Sequence, residues 1–296
     1  MTGNARYTPQ NMRQNMRPIT RPITRRKLLQ TGLRLLVYAA AGITGFIIIG
    51  IIAAILIRGV PNLRPELFAL VYTSENASML PALVNTVIMT ALSLVLAVPL
   101  GVFAAIYLAE YARRGNPFVR VVRLAVETLS GIPSIVYGLF GMLLFVVNLR
   151  WGYSIMAGSF TLAIMILPLV MRTAEEAVLA VPDAYREGSF GLGAGRLRTV
   201  FAVVLPPAAP GIFVGIILAA GRIIGESAAL IFTAGTVAQI PKNLFSSGRT
   251  LAVHMYTLSS EGLYLKQAYA SAVVLLALSA LINTVSFFLA KKFSRL

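Results

Sequence analysis

Residues 211–230, GIFVGIILAAGRIIGESAAL, form an apolar run of bilayer-spanning length that carries two ions, Arg222 and Glu226. Either charge near the centre of a bilayer costs about 2.5–3.5 kcal/mol, which argues against a lipid-facing position and for a bundle interior or a wet cavity. On a continuous helix these residues, four apart, share a face and can touch. Gly211 and Gly215, then Gly221 and Gly225, repeat a small-xxx-small spacing that lets another helix or a cargo approach the backbone closely. Two readings stay open at this point: a buried pair that neutralises itself, or a functional site on an anion path.

This run is one of six that reach or approach the roughly 20 residues needed to cross a membrane core, the others being 35–57, 84–108, 124–147, 153–170 and 268–289, with the fifth extending over 208–229. A chain that is 57% hydrophobic and only 12% charged, with mean hydropathy +0.80, is too apolar for a soluble domain of 296 residues. Barrel strands would show segments of about 10 alternating residues, which these runs do not. The expected class is an all-α integral membrane protein with six transmembrane helices.

A net charge of +16 would suggest nucleic acid as a partner of a soluble protein, but the positions of Lys and Arg decide otherwise. With the N-terminus in the cytoplasm, nineteen fall in the tail, the 113–123 and 172–198 segments and the C-terminus, against six on the opposite side. That asymmetry places both termini in the cytoplasm of a multi-pass protein and excludes nucleic-acid binding. With no cysteine and the single histidine His254 in an external Gly/Ser-rich loop, neither a metal site nor a thiol nucleophile is expected. The spans also lack a paired Asp or a Ser/His constellation, so no catalytic residue is assigned.

Residues 1–34 are basic and low in complexity, with Arg-Pro-Ile-Thr twice in tandem at 17–24, and read as a disordered cytoplasmic tail that touches anionic lipid headgroups. The transmembrane domain proper is then 35–296. The twin arginine Arg25-Arg26 precedes a run of full spanning length and is read as the anchor of the first helix. The external segment 58–83 holds loop formers and carries no chemistry. In the third run, Ser130-Gly131-Ile132-Pro133-Ser134 bends or breaks the helix, because proline removes a backbone donor and frees carbonyls that need a Ser side chain, water or cargo. Broken helices line the sites of many carriers, and a simple packing kink is the alternative. Segment 172–207 is the one substantial cytoplasmic loop, with a short amphipathic helix expected over 182–190, Pro182 at its first position, and a glycine-rich turn at 191–195.

At this loop the sequence resembles the permease subunits of bacterial ABC importers, whose EAA loop reads Glu-Ala-Ala, three residues, Gly, nine residues, Ile-x-Leu-Pro. Here Glu187-Gly188-Ser189, three residues, Gly193, nine residues and Val203-x-Leu205-Pro206 keep that spacing, while Gly188, Ser189 and Val203 depart from the consensus types. With the 130–134 motif and Gly221-Arg222-Ile223-Ile224-Gly225-Glu226-Ser227, the resemblance is to the A-type permease subunits of phosphate-specific importers, over about 33–296. It implies a type I importer permease (MetI-like) fold and a pseudo-twofold heterodimer with a homologous C-type permease. It also implies two ATPase subunits, an extracytoplasmic phosphate-binding protein, and inorganic phosphate as cargo. Glu187, Gly188, Ser189, Gly193, Leu205 and Pro206 would form the coupling element on the ATPase, and Arg222, Glu226 and Ser227 would line the substrate path. The chain would hold no cofactor of its own, ATP and Mg being bound by the ATPase, and no GxxxxGK[ST] run is present. Sulfate, molybdate or phosphonate is the alternative cargo, and a proton-coupled carrier using Glu226 the alternative class.

Overall fold

The structure, a computed structural model, describes residues 23–113, 115–262 and 264–293. They divide into two units at Ala54. The first unit holds most of helix α1 (Ile23–Gly59), a 37-residue helix whose apolar stretch suffices to span a bilayer. Of the tail expected at 1–34, residues 1–22 lie outside the described residues, whereas 23–34 are the opening turns of α1. Lys27, Leu28 and Leu29 are helix formers, and no Pro follows Pro22 within α1 to stop propagation.

In the second unit, two short 3-10 turns, Val60–Asn62 and Pro65–Phe68, lead to α2 (Leu80–Ile106), which closes in a π turn at Tyr107–Tyr111. Helix α3 (Pro117–Ser130) starts on Asn116, whose side chain accepts the Phe118 N–H, and exposes Phe118, Val121 and Leu124. Next come α4 (Ser134–Gly141), with a π continuation at Met142–Asn148, and α5 (Ile155–Leu179), capped by Ser154. The third run is therefore two helices, bent by 104° across 131–133, where the sequence led one to expect a bend or break. Pro133 lacks the N–H to continue α3, and its extended conformation (ψ 142°) redirects the chain.

Helix α6 (Asp183–Gly191) follows, then the single turn α7 (Arg196–Arg198), a π turn at Thr199–Val204 and α8 (Leu205–Ile224). Pro182 caps α6 from outside it, at ψ 140°, one place before the expected position. The π turn relieves the hydrogen bonds that Pro206 and Pro207 cannot make. The fifth run likewise ends early: α8 stops at Ile224, and a one-turn helix α9 (Ala228–Ile231) resumes after residues 225–227. After a long connection come α10 (Leu251–Glu261), ended by Gly262 at φ +72°, and α11 (Leu265–Phe293).

Helix α5 is the centre of this unit: 67% of its apolar stretch is buried, against 22% for α2 and 28% for the segment through α8. Met89 and Ala97 of α2, Leu162, Ile166 and Val170 of α5, and Ala219 and Ile223 of α8 form the main core. Among the described residues five helices are long and apolar enough to cross a bilayer, six if the bent α3–α4 pair counts as one span, so the all-α membrane architecture is the one expected. The fourth span, read as 153–170, runs on to Leu179, because Arg172, Glu175 and Glu176 continue the helix beyond its apolar part. His254 is not in a loop: it sits fully buried in α10, edge-on to Tyr72 at 6.2 Å.

Candidate functional site: a break beside Arg222 and an exposed loop helix

The break at 131–133, which the sequence announced, and the break at 225–227, which it did not, are neighbours in space. Gly138, in the first turns of α4, lies so close to Ala229 that a Cβ there would meet its Cα at 2.8 Å. Tyr137 is buried, and its hydroxyl donates to Leu129 O at 2.8 Å, across the 131–133 break. Thus the break carbonyl is held by a tyrosine from the following helix and not by Ser134. Ser130 instead donates to Val126 O, one turn back, and Ser130, Gly131 and Pro133 are exposed. The close approach of Gly138 to Ala229 ties the two broken helices into one locality.

Arg222 and Glu226 do not form the expected pair. With α8 ending at Ile224, the helical register that would set them face to face is lost. Glu226 is buried and its Oε1 accepts the Ala229 N–H at 3.1 Å, capping α9. Arg222 is exposed in the last turn of α8 and makes no ion pair among the described residues. Its surroundings explain the glycine spacing. Gly211 and Gly215 are spent on internal packing: a Cβ on the first would meet Ala177 Cβ at 2.7 Å, and one on the second would run into Thr173. Gly221 and Gly225, by contrast, have no side chain within 4 Å, so the face carrying Arg222 is open. Ser227 is half-buried and lines a cavity of about 350 Å³ with Tyr256, Ser259 and Tyr269, which Arg222 does not line.

The loop residues gather around α6. Glu187 and Gly188 are exposed, as are Tyr185 and Leu192, while Ser189 is buried. Gly193 stands at φ +83°, a left-handed conformation that turns the chain after the helix. Tyr185, Gly188, Ser189, Gly193 and Arg198 line a groove of about 480 Å³. Leu205 is half-buried and Pro206 exposed at the start of α8, away from the tip of α6.

Sequence reasoning passed over two residues here. Arg186 pairs with Glu110 of the Tyr107–Tyr111 turn at 2.7 Å, and both side chains are largely buried. The available signal was Glu110 itself, one of only 10 acidic residues, at the end of an apolar run.

An all-α protein with five or six spans, an exposed loop helix and a cation without an ion pair among the described residues beside a broken span has the architecture of a membrane transport subunit. The chain belongs to the family of binding-protein-dependent transport system inner membrane components, whose sequence profile matches residues 97–296. It is 36% identical over 241 residues to the "Probable ABC transporter permease protein YqgI" of Bacillus subtilis, covering 75% of this chain and 81% of that one. It is 37% identical over 177 residues to the "Phosphate transport system permease protein PstA" of Mycobacterium leprae, covering 60% of this chain and 58% of the relative. Its fold is similar to that of the inward-facing MetNI methionine ABC transporter, with TM-score 0.62 at 21% identity over 73% of this chain and 95% of that one. The MetI-like permease fold implied by the EAA spacing is therefore the fold found.

Proposed function

We propose that this chain is one transmembrane subunit of an ATP-driven importer of inorganic phosphate. It assembles with a homologous C-type permease, two ATPase subunits that bind ATP and Mg, and an extracytoplasmic phosphate-binding protein, and it holds no cofactor itself. It lies in the bacterial cytoplasmic membrane with both termini and α6 on the cytoplasmic side, as its Lys and Arg distribution favours. The names of its relatives support phosphate as cargo.

The observation that carries the reading is Arg222: a guanidinium at the end of a spanning helix, without an ion pair among the described residues, between two glycines that leave its face open. A charge in that setting needs a counter-ion from outside the chain. A planar fork of donors that stays charged at every working pH matches phosphate oxygens. Glu226 and Ser227 shape the break beside it, Glu226 by holding Ala229 N–H and Ser227 by accepting Leu230 and Ile231 N–H on its carbonyl. Closure of the ATPase subunits presses on α6 through Glu187, Gly188 and the Gly193 turn, while Leu205 and Pro206 set where α8 begins.

The test is uptake of labelled phosphate by the complete assembly in proteoliposomes, with binding protein outside and ATP on the ATPase side. Phosphate uptake that needs ATP and ignores an uncoupler is expected, with sulfate and molybdate competing poorly. Uptake driven by a pH gradient without ATP, or a preference for sulfate, would overturn it.

A further inference from the structure

Helix α6 is fastened to the bundle at two points. At the first, Arg186 makes five hydrogen bonds: Nε and Nη2 to Glu110 Oε1 at 3.0 and 2.7 Å, Nη2 to Val178 O at 2.9 Å, Nη1 to Val181 O at 2.6 Å and Nη1 to Asp183 Oδ1 at 3.1 Å. Every nitrogen of the guanidinium is thus in use, and the side chains of Arg186 and Glu110 are only 14% and 8% exposed. Glu110 belongs to the π turn that ends α2, and Val178 is in the last turn of α5. At the second point, one helical turn on, the hydroxyls of Ser189 and Thr199 meet at 2.8 Å, and Thr199 opens the π turn beneath α8. Residues 186 and 189 share one face of α6, whereas Tyr185, Glu187 and Gly188 are turned outward.

An amphipathic helix held only by apolar contact slides when pushed, because such contact is non-directional. A guanidinium with several charge-assisted bonds to three different segments fixes both position and angle. We propose that Arg186 is a positioning residue that makes α6, α2 and α5 move as one body, with the Ser189–Thr199 contact adding the base of α8. A displacement of α6 then reaches α8, whose far end carries Arg222, instead of being absorbed at the bundle surface. This rests on the reading that α6 receives the push of an ATPase.

The test uses the complete assembly in proteoliposomes and reads phosphate moved per ATP hydrolysed. The double variant Arg186→Met with Glu110→Gln removes both charges together, so no carboxylate is stranded in the protein. It is expected to retain its ATPase subunits and to hydrolyse ATP, with the ratio of phosphate to ATP lowered about tenfold. Arg186→Lys, which keeps the charge but cannot reach all the partners, is expected to lie between the two. A merely structural role would lower yield, hydrolysis and uptake together and leave the ratio per assembled complex at the wild-type value. That unchanged ratio, in the double variant or, should it fail to assemble, in Arg186→Lys, would overturn the tie. Leu192→Glu, at the exposed residue that follows α6, separates the underlying reading: retained ATPase subunits and full uptake there overturn the docking role and the proposal with it. Loss of the ATPase from Leu192→Glu with a lowered ratio in the Arg186 variants supports both.

Discussion

Glu226 and Arg222 lie four residues apart, yet the Glu226 carboxylate caps the Ala229 N–H at 3.1 Å and Arg222 is left exposed without an ion pair among the described residues. The two side chains therefore do separate jobs, and their substitutions separate as well. Arg222→Gln breaks no pair, so the chain is expected to insert, assemble and hydrolyse ATP normally. Loss of a charged contact to the cargo, worth about 2–5 kcal/mol, lowers phosphate uptake about thirtyfold or more. Glu226→Gln keeps an oxygen that can accept from Ala229 and costs less, and adding it to Arg222→Gln restores nothing. Recovery of uptake in the double variant would mean that the pair forms after all.

Gly193 and Gly188 distinguish backbone need from partner contact. At φ +83° Gly193 has open space around it, so Gly193→Val suffers no clash but a strained backbone, costing about 1–3 kcal/mol locally. Insertion is expected to persist while the turn after α6 shifts and uptake is lost. Gly188 is helical and equally unobstructed, so Gly188→Ala should firm up α6 by about 1 kcal/mol. Weaker co-purification of the ATPase with Gly188→Ala then reports a surface that closes on that glycine, and wild-type recovery argues against docking there.

Burial and the nearby Arg249 push the His254 imidazole down to about 3, from 6.5. The folded protein keeps this ring neutral, whereas the unfolded chain takes up a proton below pH 6.5. Stability is therefore full above about pH 6.5 and falls toward pH 3, by up to about 1.4 kcal/mol per pH unit. Thermal unfolding of the detergent-solubilised protein between pH 7.5 and 5 measures it. His254→Leu, which cannot titrate, is expected to flatten that part of the slope.

Arg249 is 4% exposed and lies over the ring of Tyr72, 4.7 Å from its centroid. Its charge is held by that ring face and by one long bond to Thr236 O. Tyr72→Phe keeps the ring and should change stability little, while Tyr72→Leu removes the π face and should cost about 1–2 kcal/mol beyond the lost packing. Equal melting temperatures for the two variants would show that the cation–π contact contributes nothing.

The membrane class, the apolar runs, the loop helix after the fourth of them and the break at 131–133 were all legible along the chain. They depend on local quantities: apolar run length, proline's missing donor, and the spacing of Glu187 and Gly193. What the tertiary structure alone decided is where the charges go. Whether Arg222 meets Glu226 depended on a helix ending at Ile224, and that end lies inside an apolar run with no proline to announce it. Whether Gly211 and Gly215 or Gly221 and Gly225 would pack within the chain depended on where Ala177 and Thr173 of α5 fall. The Arg186–Glu110 pair joins residues 76 apart in sequence, across three helical segments. Local propensity carries no information about such contacts: a charged side chain reads alike in sequence whether it faces water, a partner or a carboxylate brought near by folding, and only the packed bundle distinguishes them.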